Sequence, residues 1–175
     1  MNEYIKCSGR LFADDGGELG RYSISYPQFI GEQESIKKIN EFYTTLAAKC
    51  ESFCKSKLRG FCERDLRESD HYKPYSYRLG CTVSFEDEEC VSVIISASLK
   101  RLGEMGFIGE YTAAQVFSRS DGLLLPPTLI LKKYAPEIKN PKKYVRKNKI
   151  SSLCLTDRGV AIWRDKRWIE LKNIG

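Results

Sequence analysis

The sequence predicts an α+β fold, a twisted antiparallel sheet of about five to seven strands with one long helix packed on one face. Three observations point there. A strand ends at Tyr26-Pro27-Gln28-Phe29-Ile30-Gly31. Apolar residues then recur at spacings of three and four from Ile36 to Leu66, the signature of one buried helical stripe. From Tyr75 onward the period switches to two, as in strands. The 175 residues suit a single domain in two parts, a hairpin and helix over 1–72 and a strand meander over 73–175.

In chain order, Tyr4 to Phe12 alternates loosely and is closed by the turn cluster Asp14-Asp15-Gly16-Gly17. Leu19 to Phe29 is the second strand of a hairpin, with Tyr22, Ile24 and Tyr26 on one face. Pro27 cannot donate to a ladder and marks an edge or an exit. The helix runs from Glu34 to about Glu68. Its stripe comprises Ile36, Ile39, Tyr43, Leu46, Cys50, Phe53, Cys54, Leu58, Phe61, Cys62 and Leu66. Glu32 and Glu34 in the first turn and Arg64 and Arg67 in the last match the macrodipole, and Gly60 marks a kink or an end, since glycine in a helix costs about 1 kcal/mol relative to alanine.

Leu79, Cys81, Val83 and Phe85 form one face of the next strand, and Glu86-Asp87-Glu88-Glu89 is a charged loop. Val91, Val93, Ile95, Ala97 and Leu99 restart the alternation, so the pair is an antiparallel hairpin. Gly103, Gly106 and Gly109 make a link. Glu110 to Phe117 is another strand, and Leu123 to Tyr134, with Pro126-Pro127, holds one or two helical turns. Leu153 to Thr156 and Val160 to Trp163 flank the tight turn Asp157-Arg158-Gly159, and a last strand covers Trp168 to Leu171.

Composition narrows the function classes. Hydrophobic residues at 42% and charged residues at 30% are globular values. No apolar run reaches the ~20 residues that span a bilayer, and no signal-peptide core follows Met1. The expected setting is the cytosol, with no membrane insertion. Seven cysteines without disulfide-framework clustering suit reduced thiols in the core.

Catalytic and metal constellations are not evident. Cys50 and Cys54 share a helix face with Cys62 nearby, yet no CxxC pair exists. The single histidine, His71, lies outside the helix pattern, so a four-ligand zinc site is not expected. Gly103, Gly106 and Gly109 do not have phosphate-loop spacing. No catalytic residue, metal or cofactor is therefore assigned.

The strongest binding signal is basic. Lys132, Lys133 and Tyr134, then Lys142, Lys143, Tyr144, Arg146 and Lys147, interleave cations with tyrosines within a chain of net charge +6. That pattern suits phosphate contact with stacking, and the same cations would steer an acidic protein partner. A solvated loop around Asn140-Pro141 has the same composition.

The segment from Tyr26 to Gly31 followed by Ile36, Ile39-Asn40 and Phe42 resembles the start of a bacterial domain of unknown function. This domain occurs in the anti-sigma factor RsiV and beside the catalytic domain of the peptidoglycan deacetylase PdaC. Ser92-Val93-Ile94-Ile95-Ser96 is similar to its central strands. Val116-Phe117-Ser118-Arg119-Ser120-Asp121-Gly122 with Leu123 to Leu125 resembles its strand, turn and leucine step. Leu155 to Ile162 looks like its closing hairpin. The likeness spans roughly Leu19 to Leu171. The Gly-Gly-Ala-His-Gly type loop of the family has no histidine counterpart here. The resemblance implies a non-catalytic binding module whose partner is a protein; the alternative is a nucleic-acid-associated module using Lys132–Lys149.

Overall fold

The computed structural model describes residues 2–171. Strands β1 (Glu3–Phe12), β2 (Glu18–Gln28), β3 (Tyr75–Glu86), β4 (Cys90–Arg101) and β5 (Gly109–Ser118) form a five-stranded sheet in that order. Strands β6 (Leu153–Thr156), β7 (Gly159–Arg164) and β8 (Arg167–Glu170) form a separate three-stranded sheet. Helical segments lie between β2 and β3 and between β5 and β6. The class is α+β, with the strands divided between two sheets.

The large sheet is mixed. β1 and β2 are antiparallel, but β2 and β3 run parallel, with Tyr22 opposite Tyr77 and Ile24 opposite Leu79. Alternation of side chains is identical in both arrangements, so period alone could not separate them. The cause is the connection. A helix between two neighbouring strands carries the chain back to the end where the first strand began, and parallel pairing requires such a crossover.

The crossover is helical from Glu34 to Glu68, but not uniformly α. α1 (Glu34–Phe53) passes into a π turn (Cys54–Leu58) and then α2 (Arg59–Glu68). Gly60 lies inside α2, so the irregularity sits one turn earlier than the glycine suggested. Cys54, Leu58 and Cys62 are all buried at repeated spacings of four. At 3.6 residues per turn each such step overshoots a full turn by about 40°. The wider i→i+5 turn takes up that excess and keeps the three in line. Ser56 Oγ donates to the Ser52 carbonyl at 2.7 Å, a back-bond that accompanies bending.

The chain divides into two compact units. The first comprises the residues up to Ile30, Asn40–Cys81 and Ser96–Tyr111. Its core is the helix stripe against one sheet face. Tyr22, Ile24, Tyr26, Tyr75 and Leu79 are buried, as are Tyr43, Ala47, Cys54, Leu58 and Cys62. Leu46, Cys50 and Leu66 are half-buried, and Phe53 and Phe61 are more exposed, where they flank the stripe and lean on the rings of Tyr77 and Tyr75. Polar ties complete it. Tyr22 Oη donates to Glu51 at 2.9 Å, and Tyr75 Oη donates to Asp65 at 2.8 Å. Arg101 donates to both Asp65 oxygens at 3.2 and 3.1 Å.

The second unit comprises Gly31–Ile39, Thr82–Ile95 and the residues from Thr112 on. α3 (Pro127–Tyr134) and α4 (Pro141–Lys147) belong to it. Its core gathers Cys90, Val116, Ile130, Leu131, Leu153, Leu155, Val160 and Ile162. Fully buried Ser92 accepts the Leu155 N–H at 3.0 Å and the Ser84 hydroxyl at 2.9 Å. No helix among the described residues is long and apolar enough to cross a membrane.

Candidate binding site

Both short helices start where proline allows it. Pro127 is at the head of α3 and Pro141 at the head of α4, positions where the missing N–H is no loss. Asn140 caps α4, its side chain accepting the Lys143 N–H at 3.0 Å. Asn-Pro ahead of a short cationic run is a helix start, and it is the signal that reading this segment as a loop passes over. Lys132 and Lys133 in the last turn of α3, and Arg146 and Lys147 in that of α4, face the negative dipole ends.

The structure therefore places Lys132, Lys133 and Tyr134 on α3, and Lys142, Lys143, Tyr144, Arg146 and Lys147 on α4, two helices in contact. The cations are exposed and the tyrosines are not platforms. Tyr134 is half-buried, with its Oη 3.1 Å from Cys90 Sγ and its ring edge-on to Phe85. Tyr144 packs against the core of the unit. Lys133 pairs with Glu89 and sits 5.1 Å from the Tyr134 ring centroid.

Beside α3 lies a cleft of about 660 Å³. Leu125, Leu129 and Ile130 supply its apolar surface, and Arg119, Lys132, Lys133, Glu88 and Glu89 supply its charges. The rim is braced. Asp87 accepts the N–H groups of Glu89 and Cys90 at 2.8 and 2.7 Å. Arg119 bonds Glu86 through its side chain and the Glu89 carbonyl through its backbone N–H. The turn from Ser118 to Leu123 is fixed by Gly122 at φ 74°, a conformation that favours glycine. A Cβ there would also lie 2.6 Å from the Ser35 carbonyl oxygen. That turn presents Leu123 at 59% and Leu124 at 48% exposure, and α3 presents Leu129 at 51%. A smaller cleft of about 330 Å³ is lined by Lys139, Lys143, Lys147, Tyr144 and Glu137.

Cys90, Tyr134 and Asp87 form a chain that resembles an acid–base relay, with Tyr134 Oη donating to Asp87 at 3.4 Å. Burial, with Asp87 adding to it, pushes the Cys90 thiol up to about 11 against the pull of the Tyr134 hydrogen bond. Burial and then Cys90 raise the Tyr134 hydroxyl as well. Both stay protonated at neutral pH, and a thiol is a nucleophile only as thiolate. All seven cysteines are free. Cys54 and Cys62 are buried and Cys50 accepts a 3.8 Å bond from Tyr77; burial raises Cys54 to about 12 and raises Cys62. His71 is exposed on the turn before β3. Among the described residues no three His, Cys, Asp or Glu side chains gather as metal ligands would.

No protein-family model and no curated protein matches the sequence. Solved structures do match in fold. A DUF3298-family protein from Bacteroides fragilis NCTC 9343 superposes with a TM-score of 0.55 at 9% identity, over 93% of this chain and 82% of that one. A DUF3298-family protein from Pseudomonas aeruginosa PAO1 gives 0.49 at 11% identity, over 92% and 80%. The fold of this chain is thus similar to that of a DUF3298-family protein, a domain class of unknown function.

Proposed function

We propose that the chain is a non-catalytic module that binds another protein through the α3 cleft, and that its partner offers an acidic segment carrying apolar side chains. The observation that carries this reading is the cleft itself, where half-exposed Leu129 lies with Leu125 and Ile130 among Arg119, Lys132 and Lys133, with Glu88 and Glu89 also in the lining. An apolar centre with a charged rim is the anatomy of a protein interface, and Leu123 and Leu124, exposed on the chain just before Leu125, add apolar surface. The resemblance of the sequence to the RsiV and PdaC accessory domain, where the RsiV domain binds a protein ligand, adds to this reading. Free thiols suit a reducing compartment, in keeping with a cytosolic role.

A nucleic-acid role for Lys132–Lys149 is the second reading. The exposed cations of α4 favour it; the inward Tyr134 and Tyr144 leave it without stacking rings.

The test is capture from lysate with the immobilised chain alongside Leu129→Asp and Lys132→Glu. The reading expects one protein retained by the wild type and lost from both variants, with release as salt rises. A captured set that is the same for all three overturns it.

A further inference from the structure

We propose that the large sheet's open face over β1–β3, on the side away from the helix, binds single-stranded RNA. Tyr22, Ile24 and Tyr26 face the helix and are buried, so their strand neighbours Arg21, Ser23 and Ser25 point to the opposite face. Register then assembles two rows. Arg10 stands opposite Arg21, which stands opposite Ser76; Ser8 stands opposite Ser23, which stands opposite Arg78. Lys6 stands opposite Ser25. With about 3.3 Å per residue along a strand and about 4.8 Å between strands, the four cations fall within roughly 15 Å of one another.

Between them runs a shallow groove of about 250 Å³ whose lining includes Ser8, Arg10, Arg21, Ser23 and Arg78. Glu18 approaches Arg10 and Arg21 only to 4.0 and 3.8 Å, beyond hydrogen-bond range. Both guanidinium forks keep donors for phosphate oxygens.

An uncovered sheet face is polar in any case, and lysine on an edge strand discourages pairing with a further strand. Those needs call for polarity without regard to sign. Here the cations Lys6, Arg10, Arg21 and Arg78 share the face, and the carboxylate of Glu18 approaches two of them. Two rings bracket the cations as well. Tyr4 and Phe12 are exposed on β1 at 42% and 46%. Tyr4 shares the face of Lys6 by alternation, and Phe12 is opposite Glu18, the residue that reaches Arg10 and Arg21. A cationic strip with ring faces at its ends is how single strands are held, phosphates on charge and bases on rings. The serine hydroxyls between the cations are donors and acceptors suited to the ribose 2′-hydroxyl.

The experiment is fluorescence anisotropy of the full chain with a roughly ten-nucleotide oligouridine, within the ~4–16 nucleotides of known single-strand sites. Affinity is expected to fall with salt, with a log–log slope near −0.7 per phosphate neutralised. Arg21→Glu with Arg78→Glu should weaken binding about tenfold or more and flatten the slope by about 1.4. Arg21→Lys with Arg78→Lys should keep most of the affinity, and Tyr4→Ala or Phe12→Ala should weaken binding severalfold at an unchanged slope. The proposal is overturned if oligouridine shows no salt-dependent binding, if the double charge reversal has no effect, or if oligothymidine or polyglutamate binds as tightly. It is equally overturned if Lys142→Glu with Lys143→Glu on α4 weakens binding as much.

Discussion

Asn40 engages both backbone polar groups of Phe29. Its Oδ1 accepts the Phe29 N–H at 2.9 Å, and its Nδ2 donates to the Phe29 carbonyl at 2.9 Å. Phe29 lies just past Gln28, the last residue of β2, where ladder partners run out, and an amide is the side chain that can serve a donor and an acceptor at once.

Replacing Asn40 by leucine should therefore destabilise the chain by roughly 1–3 kcal/mol, the cost of leaving partly buried backbone groups unpaired. Aspartate keeps the acceptor and should lose less. Urea unfolding of both variants checks the order, and equal midpoints for leucine and wild type would refute it.

Gly9 lies opposite Tyr22, and a Cβ at Gly9 would sit 2.5 Å from the Tyr22 hydroxyl oxygen. Gly9→Ala has to displace that ring from its bond to Glu51, at a cost of roughly 1–3 kcal/mol. In a Tyr22→Ala background the same change should cost little, a coupling that a double-mutant cycle in urea measures directly.

Ser92 is fully buried and takes the Leu155 N–H. Ser92→Ala strands that donor, while the Ser84 hydroxyl keeps the Ser92 carbonyl at 3.3 Å, with an expected loss of about 1–3 kcal/mol. Ser92→Thr keeps the oxygen and is limited by space alone. Amide exchange at Leu155 should quicken in the alanine variant.

The buried thiols give an alkaline limit. Burial pushes Cys90 and Cys154 up to about 11, and Cys54 and Cys81 up to about 12, from an ordinary value of 9.0. Folded values above unfolded ones mean the unfolded chain sheds protons first. Stability is complete below about pH 9 and declines as pH climbs toward 11 and 12. A urea midpoint that falls across that window and is flat from pH 7 to 9 is the expected result. In native conditions a thiol reagent should find Cys7 and Cys50 first, the two partly exposed cysteines, with the remaining five reacting on unfolding.

How much the sequence discloses follows from which signals are local. The β3–β4 hairpin, with its turn at Glu86–Glu89, and the β6–β7 turn at Asp157-Arg158-Gly159 were legible because alternation and turn chemistry sit within a dozen residues. The helix stripe is legible for the same reason, although Ala47, buried at 7%, belongs to it and is too small to stand out. Parallel pairing of β2 with β3 was not, since it depends on where the helix delivers the chain. The π turn was hidden because repeated fours look like ordinary helix. At the basic segment the cations were legible, but the inward turn of Tyr134 and Tyr144 required packing to decide it. Lys6, Arg10, Arg21 and Arg78 form no motif at all; only strand register brings them together.

The pairing of Gly20 with Tyr75 also constrains the order of assembly. While the chain is being made, the β1–β2 hairpin emerges first and must wait, one flank of β2 unclaimed, until the whole helical crossover has followed. Pairings so distant in sequence form slowly, and an open flank invites foreign strands in the meantime. Swift coiling of the stretch from Glu34 to Glu68 shortens that vulnerable interval, which gives the helix a part in protecting the nascent chain as well as in roofing the finished one.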